Sequence, residues 1–295
     1  MDATATAAAR HDAAPRRAHH ATPRAVTKWR SGARAPYRRD VSSFRSLTPD
    51  RIDALLPVSL RLHREWRSAL VTLSYGGALP PLPPALRALL TEAAGIDLSR
   101  ADDGVDPFGS PAFGILYSRL RAEQVLRAVS SRTNLTIAGT TVTVVGDGLL
   151  AEALATSLRT LGAAVIRATD APVAALAARL DGYRVQPLDA LASRDTPVHL
   201  TLLTGEGHGI PPVDTLEGLV ADASPAGTAT AGVRTSPSSR PLVGQTGKAF
   251  LVEMPSPLPE EDAPLAATPW LLLDALIALM LLDGDDDRFA REVAP

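Results

Sequence analysis

The chain contains no cysteine, which excludes disulfide bonds, thiolate metal sites and thiol nucleophiles. Lysine is scarce as well: Lys28 and Lys248 stand against 28 arginines, a bias typical of genome composition rather than of chemistry. Aromatic residues make up 4% of the chain, so its cores are expected to be mostly aliphatic. No stretch offers the ~20 uncharged apolar residues that a membrane-spanning helix requires. These absences favour a cytoplasmic protein without a membrane span.

What remains is a composition typical of one large folded domain or two modest ones. The 295 residues are 45% hydrophobic, which is enough to form real cores. The net charge of −2 gives no reason to expect a nucleic acid as partner. The six histidines form no HExxH or similar pair, so no metal site is expected, and neither a GxSxG nor a GxxxxGK[ST] motif occurs.

Composition and periodicity divide the chain into four parts. We predict a disordered basic leader, a helical region, a Rossmann-like NAD-binding domain that includes a C-terminal helix, and a solvated tail, at residues 1–45, 46–132, 133–283 and 284–295 respectively. The leader holds ten Arg or Lys against three Asp, and its alternatives are an organelle transit peptide or transient contact with nucleic acid or anionic surfaces. Thr48 is a predicted N-cap, and its helix is expected to run towards Leu73.

Residues 140–170 organise the rest of the chain. Thr141 to Val145 is a short β-branched run, typical of a strand that is buried on both faces. Gly146-Asp147-Gly148 interrupts it, and residues 149–161 then carry apolar side chains at helical spacing. A second strand begins at Ala164. Strand, glycine turn, helix and strand form the βαβ unit that binds dinucleotides.

Each position of this turn has a predicted role. Gly146 permits the tight turn, Gly148 lets the backbone approach a diphosphate, and Ala151 is small enough for the helix to pack on the strand. Free N–H groups from Leu149 onwards, at the positive end of the helix dipole, are expected to hold the phosphates. Asp170, at the end of the second strand, is expected to bind the adenosine ribose and to favour NAD over NADP.

The segments that follow predict an α/β fold: a Rossmann-like, doubly wound, mainly parallel sheet. Further strands are expected at residues 183–185, 198–203, 219–221 and 249–253, with a long surface excursion at 222–240. Residues 270–282 form an apolar helix. Two interpretations stay open for it: the helix covers an apolar face of its own chain, or it joins a homodimer interface.

Between residues 113 and 189 the chain reads FGILY, TNLTIAG, the glycine turn, LDGYRV and PLD, in that order. This order resembles the NAD-binding domain of the S-adenosylhomocysteine hydrolase family. The resemblance implies NAD as cofactor. It also implies that Thr204-Gly205, at the end of the fourth strand, lies near the nicotinamide half of the cofactor.

At the positions where that family carries its reactive side chains, this chain has different residues. The family reads Lys-Phe-Asp-Asn where this chain has residues 112–115, Ala-Phe-Gly-Ile, so the implied lysine and aspartate are absent. The family's histidine after the fifth strand falls within residues 222–225, Asp-Ala-Ser-Pro, and is absent too. Thr169 replaces the acid that ends the second strand, with Asp170 beside it. Hydrolysis of adenosylhomocysteine is therefore not expected, since Ala and Gly cannot take a proton from a hydroxyl group.

Three hypotheses follow. The first is a module that binds NAD(H) and has lost ancestral catalysis. The second is a small NAD-dependent oxidoreductase, in which Glu206 or His208 of the loop after the fourth strand transfers the proton. The third is a Rossmann scaffold or interaction protein without a nucleotide. A stabilising shift with NAD or NADP separates the first two from the third.

Overall fold

The computed structural model describes residues 44–66, 69–191, 198–207, 211–238, 242–261 and 267–293. The predicted disordered leader, apart from its last two residues, lies outside this part of the chain. The described segments all belong to one unit, Asp40–Pro295.

The N-terminal region combines helices with a small parallel sheet. Its elements, in chain order, are α1 (Pro49–Leu55), α2 (Pro57–Glu65), β1 (Val71–Tyr75), α3 (Pro84–Ala94), β2 (Ile96–Arg100) and α4 (Pro111–Thr133). Each of these helices carries a proline in its first turn, where the missing N–H group has no intrahelical partner to lose. Thr48 is the N-cap of α1, as predicted, and its side chain accepts a hydrogen bond from the N–H group of Arg51.

The predicted helix towards Leu73 is wrong beyond α2. The segment forms β1 instead, which pairs in parallel with β2 and places Leu73 beside Leu98. This partner strand lies beyond α3, so the periodicity of the segment itself could not reveal it. The region at 46–132 is therefore mixed α/β rather than helical.

After α4 the chain alternates strands and helices. The elements are β3 (Thr141–Val145), α5 (Leu149–Thr160), β4 (Ala164–Ala168), α6 (Pro172–Leu180), β5 (Arg184–Gln186), β6 (Leu200–Leu203), β7 (Gly218–Asp222), β8 (Ser236–Pro237), β9 (Val243–Thr246) and β10 (Ala249–Val252). Within the described residues, these strands form one eight-stranded sheet in the order β5-β4-β3-β6-β7-β10-β9-β8. The pairs from β5 to β10 are parallel, and β9 is antiparallel to β10 and to β8. The predicted doubly wound, mainly parallel fold is confirmed, although β8 lies within the predicted surface excursion.

The sheet changes its winding direction between β3 and β6. From β3 the chain proceeds outwards to β4 and β5, and it then returns to β6 on the other side of β3. Val145, which ends β3, is level with Ala168 of β4 and with Leu203 of β6. The turn after β3 therefore lies next to the loop after β6. Open α/β sheets bind their ligands at this kind of switch point.

The C-terminal apolar segment forms α7 (Ala267–Leu281), which is buried among the other elements of its own chain. Leu271 remains 45% exposed on this helix. The chain therefore covers most of the apolar surface that a dimer through α7 would use, and such a dimer stays a prediction. Among the described residues, no helix has both the length and the apolar character needed to cross a bilayer.

The predicted solvated tail is instead a helix, α8 (Asp286–Val293). Phe289 of this helix is 1% exposed, and its ring centroid lies 6.2 Å from that of Phe113. Asp286 accepts hydrogen bonds from the backbone N–H of Ala112, at 3.0 Å, and from the hydroxyl of Ser110, the N-cap of α4. The acidic run suggested solvent exposure, but it supplies the negative charge that favours a helix start.

Candidate functional site

The turn after β3 has a backbone that glycine alone fits comfortably. Gly146 has a φ of 137°, outside the region that other residues favour, and an added Cβ would overlap the hydroxyl oxygen of Thr204. Gly148 is the N-cap of α5 and brings no side chain to the first N–H groups of the helix. Ala151 is fully buried in the core formed by α5 and the central strands. These positions have the geometry expected of a dinucleotide turn.

A carboxylate from the chain itself occupies the positive end of α5. Glu206 accepts hydrogen bonds from the backbone N–H of Leu150 through Oε1 and from that of Ala151 through Oε2, both at 3.0 Å. A Cβ added to Gly148 would lie 2.6 Å from Cδ of Glu206. Burial raises the pKa of Glu206, and the two backbone hydrogen bonds oppose that effect. Sequence reasoning selected Glu206 as a proton-transfer group, whereas the structure places it where an anionic ligand binds a helix.

A buried arginine adds positive charge to the same turn. The Arg167 side chain comes from β4, is 3% exposed, and donates from one terminal nitrogen to the carbonyl oxygen of Gly146 at 3.1 Å. Its Nε has no hydrogen-bond partner within the described part of the chain. Burial lowers the pKa of Arg167, and nearby carboxylates, Glu152 foremost and Glu206 among them, partly restore it. Arg167 therefore places a buried positive charge near the helix end, close to the carboxylates of Asp147 and Glu206.

Thr169 and Asp170, the two candidate ribose-binding positions, make different hydrogen bonds. The Thr169 hydroxyl donates a hydrogen bond to the carboxylate of Asp147, which ties the end of β4 to the glycine turn. Asp170 is exposed, and its Oδ1 accepts a hydrogen bond from the backbone N–H of Leu188, in the loop after β5, at 2.9 Å. The structure therefore brings Thr169 to the turn and directs one oxygen of Asp170 towards the neighbouring loop. Ribose binding by Asp170 stays a prediction.

Thr204 and Gly205 hold the loop after β6 against the turn. The buried Thr204 hydroxyl donates to the carbonyl oxygen of Val145 at 3.0 Å and accepts from the backbone N–H of Glu206 at 3.3 Å. Gly205 has a φ of 72°, and a Cβ there would lie 2.6 Å from Cβ of Ser224. These contacts fix the path of the loop towards α5. His208, the other proton-transfer candidate, lies outside the described residues.

A cavity of about 380 Å³ lies beside Glu206. It is lined from the N-terminal region by Asp106, Phe108 and Tyr117, and from the Rossmann domain by Leu149, Thr204 and Glu206. Tyr117 is 2% exposed, and its hydroxyl has no hydrogen-bond partner among the described residues. Burial raises the pKa of Tyr117, so the phenol stays protonated and can donate a hydrogen bond. Gly114, where the resemblance implies an aspartate, also lines this cavity without a side chain.

Sequence reasoning missed the buried polar groups around the site. Arg121 of α4 is 2% exposed and donates to the carbonyl oxygens of Ala223 at 3.2 Å and Pro255 at 2.6 Å, which joins α4 to the segments after β7 and β10. A charged residue inside an apolar strand was an available signal for Arg167, and Tyr117 ends the FGILY run that resembles the family. No three His, Asp or Glu side chains of the described ranges gather as a metal site would require.

The fold and the turn define the class of protein: a Rossmann domain with a βαβ unit of the dinucleotide-binding type, preceded by a smaller mixed region. Residues 118–218 match the model of the S-adenosyl-L-homocysteine hydrolase NAD-binding domain. This segment is thus related to the cofactor domain of that family, as the sequence resemblance predicts.

Similar proteins extend the comparison. The adenosylhomocysteinase of Aeropyrum pernix is 31% identical over 171 residues, which are 57% of this chain and 40% of that protein. The S-inosyl-L-homocysteine hydrolase of Methanocaldococcus jannaschii is 29% identical over 168 residues, with the same two coverages of 57% and 40%. The dipicolinate synthase A chain of Bacillus subtilis superposes with a TM-score of 0.43 at 19% identity, over 82% of this chain and 70% of that one. The chain matches 40% of the length of each of the two hydrolases.

Proposed function

We propose that this chain binds NAD(H) at the turn after β3 and does not hydrolyse adenosylhomocysteine. One observation carries the proposal: the N-terminus of α5 is built to hold an anion. The carboxylate of Glu206 stands in for diphosphate oxygens on the N–H groups of Leu150 and Ala151. Gly148 keeps the approach to those N–H groups free of a side chain. The match of residues 118–218 to an NAD-binding domain supports NAD as the dinucleotide.

The residues present fit this cofactor once Glu206 has left the helix end. The N–H groups of Leu149, Leu150 and Ala151 would hold the diphosphate, and Arg167 would add positive charge. Asp170 would bind the adenosine ribose, and Thr204-Gly205 would lie towards the nicotinamide. Bound NAD⁺ supplies a hydride acceptor.

The proposed lack of hydrolase activity depends on missing side chains. Ala112 and Gly114 stand where the resemblance implies a lysine and an aspartate, and neither offers a group that can accept the proton of a sugar hydroxyl. The Tyr117 hydroxyl does not replace them, because burial raises its pKa and keeps it protonated. We also propose a cytoplasmic location, as the composition predicts.

The binding proposal is tested by titrating the purified chain with NAD⁺, NADH, NADP⁺ and adenosine in a calorimeter, with thermal unfolding measured in parallel. NAD⁺ at 100 times its dissociation constant should raise the free energy of unfolding by about 2.7 kcal/mol. If none of the four ligands changes the unfolding temperature or gives a heat of binding, only the hypothesis of a scaffold without a nucleotide remains. Incubation with adenosylhomocysteine and NAD⁺ should release no adenosine above the protein-free blank, and release at an enzymatic rate would refute the second half of the proposal.

A second function is favoured by the cavity beside Glu206. The Glu206 carboxyl group and the unpartnered phenol of Tyr117 face one small cavity, where the carboxylate would take the proton of an alcohol substrate and the phenol would donate a hydrogen bond to its oxygen. This alternative predicts that the chain oxidises some members of a panel of secondary alcohols with NAD⁺. The absorbance of the NADH that forms measures this reaction. The alternative also predicts that Tyr117→Phe slows the reaction, whereas the binding module should show no turnover in either form.

A further inference from the structure

Glu206 fills the place that the proposed function assigns to a diphosphate. Its two carboxylate oxygens use the N–H groups of Leu150 and Ala151, from 56 and 55 residues away in the sequence. A diphosphate on α5 needs the same N–H groups. The two anions cannot share them, since like charges at such a distance repel strongly in a partly buried site.

The site offers more donors than Glu206 uses. The Nε of Arg167 and the hydroxyl of Tyr117 are both buried, and both lack a hydrogen-bond partner in the described part of the chain. Arg167 bonds the carbonyl oxygen of the turn glycine Gly146, and Tyr117 lines the cavity that Glu206 also lines. Buried donors are normally satisfied. A ligand with more acceptor oxygens than one carboxylate could satisfy these donors.

Glu206 also has a route away from the helix. The cavity of about 380 Å³ beside it is large enough to receive a glutamate side chain. The Glu206 side chain can therefore rotate from Leu150 and Ala151 into the cavity while Thr204 and Gly205 keep the loop on β3.

We propose that Glu206 is an internal competitor of the dinucleotide, and that its carboxylate must leave the N-terminus of α5 before a diphosphate binds there. This inference rests on the proposed function. Glu206 then lowers the apparent affinity for NAD, because only the molecules in which the helix end is open can bind the dinucleotide. Ligands without a phosphate do not compete with Glu206.

The test compares the dissociation constants of NAD⁺ and adenosine for the wild-type chain, Glu206→Gln and Glu206→Ala. Both variants should bind NAD⁺ more tightly, by about tenfold for a helix end that is open in about one wild-type molecule in ten. Adenosine should bind all three proteins equally, because it carries no group for the helix end. Glu92→Gln, an exposed glutamate of α3, is the matched control and should leave both constants unchanged.

The outcomes separate the two proposals. NAD⁺ binding of equal strength in the wild-type chain and both Glu206 variants would overturn the competition and leave NAD binding intact. An absence of NAD⁺ binding in all three would overturn the proposed function and the competition with it. Amide resonances of Leu150 and Ala151 in the wild-type chain give a readout that needs no variant: NAD⁺ should shift both, while adenosine should not. Shifts of neither amide at saturating NAD⁺ would place the diphosphate elsewhere and refute the inference.

Discussion

The carboxylate of Asp274 accepts a hydrogen bond from the backbone N–H of Ser59 at 2.8 Å, across 215 residues of sequence. It also accepts one from the N–H of Val58 at 3.1 Å. Asp274 belongs to the apolar helix α7 and is 3% exposed. The N-cap position of α2, Leu56, contributes no side-chain hydrogen bond, so a residue of α7 performs the capping instead.

Removal of this distant cap should destabilise the fold. Asp274→Ala is expected to lower the free energy of unfolding by about 2 kcal/mol, because the buried N–H group of Ser59 and the partly buried one of Val58 lose their acceptor. Urea denaturation followed by circular dichroism measures the change. Asp102→Ala, in an exposed turn, is the control and should change stability little. Equal losses for the two variants would show that the Asp274 bonds contribute nothing.

The same carboxyl group should give stability a pH dependence. Burial raises the pKa of Asp274, against the bonds from Ser59 and Val58 and the charge of Arg61 on α2. The folded state therefore holds the proton more tightly than the unfolded state does. This contribution is fully present below the unfolded pKa of about 3.9 and is lost as pH rises through the raised folded value. The difference in unfolding free energy between the wild type and Asp274→Asn should therefore fall as the pH rises through this window. Urea denaturation at a series of pH values measures it. A difference that stays level would refute the raised pKa.

Glu206 should affect stability and affinity in opposite directions. Without ligand, Glu206→Ala is expected to lose about 1 kcal/mol of unfolding free energy, because the first turn of α5 loses its acceptor. Differential scanning calorimetry of the unliganded protein, beside Glu92→Ala as control, measures this. A Glu206→Ala protein as stable as that control would mean that the carboxylate does not cap α5 in solution.

An added methyl group at the glycine turn should block the dinucleotide. In Gly148→Ala the new Cβ would meet Glu206 in the unliganded form, at 2.6 Å from its Cδ, and the diphosphate in the bound form. In the Glu206→Ala background, where the competing carboxylate is absent, we expect Gly148→Ala to lower NAD⁺ affinity by at least about tenfold, or 1.4 kcal/mol. Gly109→Ala in the same background, whose Cβ would point into open space, should leave the affinity unchanged. Undiminished affinity on adding Gly148→Ala to Glu206→Ala would show that the diphosphate does not pass this residue.

Cofactor choice should depend on Asp170. Asp170→Ala is expected to weaken NAD⁺ and to reduce the bias against NADP⁺, because the carboxylate repels a 2′-phosphate and accepts hydrogen bonds from a ribose. Parallel calorimetric titrations with both dinucleotides measure the ratio, with Asp103→Ala as the exposed control. If Asp170→Ala keeps both affinities, Thr169 or Asp147 becomes the better candidate for the ribose contact.

The parts of the fold that depend on neighbouring residues could be predicted from the sequence. The strand, turn and helix around Gly146 follow from a short run of β-branched residues, a glycine pair and helical spacing. The strand at Val71 was missed because its partner, β2, lies beyond α3. The tail was misread because the burial of Phe289 depends on Phe113, far away in the chain.

In the candidate site, too, the features set by the local backbone could be predicted and those set by tertiary packing could not. The sequence identified the glycines and the small residue Ala151, because their roles are set by the local backbone. It could not show that Glu206 binds the N-terminus of α5, since no pattern near residue 206 specifies which helix its carboxylate will reach. Arg167 and Tyr117 are candidates because each has a buried hydrogen-bonding atom that lacks a partner in the described part of the chain. This burial results from tertiary packing, so the local sequence does not reveal it.

Within the described part of the chain, α2, α4 and α5 each begin against a carboxylate from a distant part of the sequence: Asp274, Asp286 and Glu206, respectively. The first two acceptors belong to the last 30 or so residues, so the first turn of α2 is capped only when the C-terminal segment docks, whereas α4 also has the hydroxyl of Ser110, which accepts from the N–H of Phe113. Because closing so long a loop costs entropy, we expect these contacts to form late in folding. Loss of Asp274 or Asp286 should therefore accelerate unfolding while leaving the refolding rate nearly unchanged.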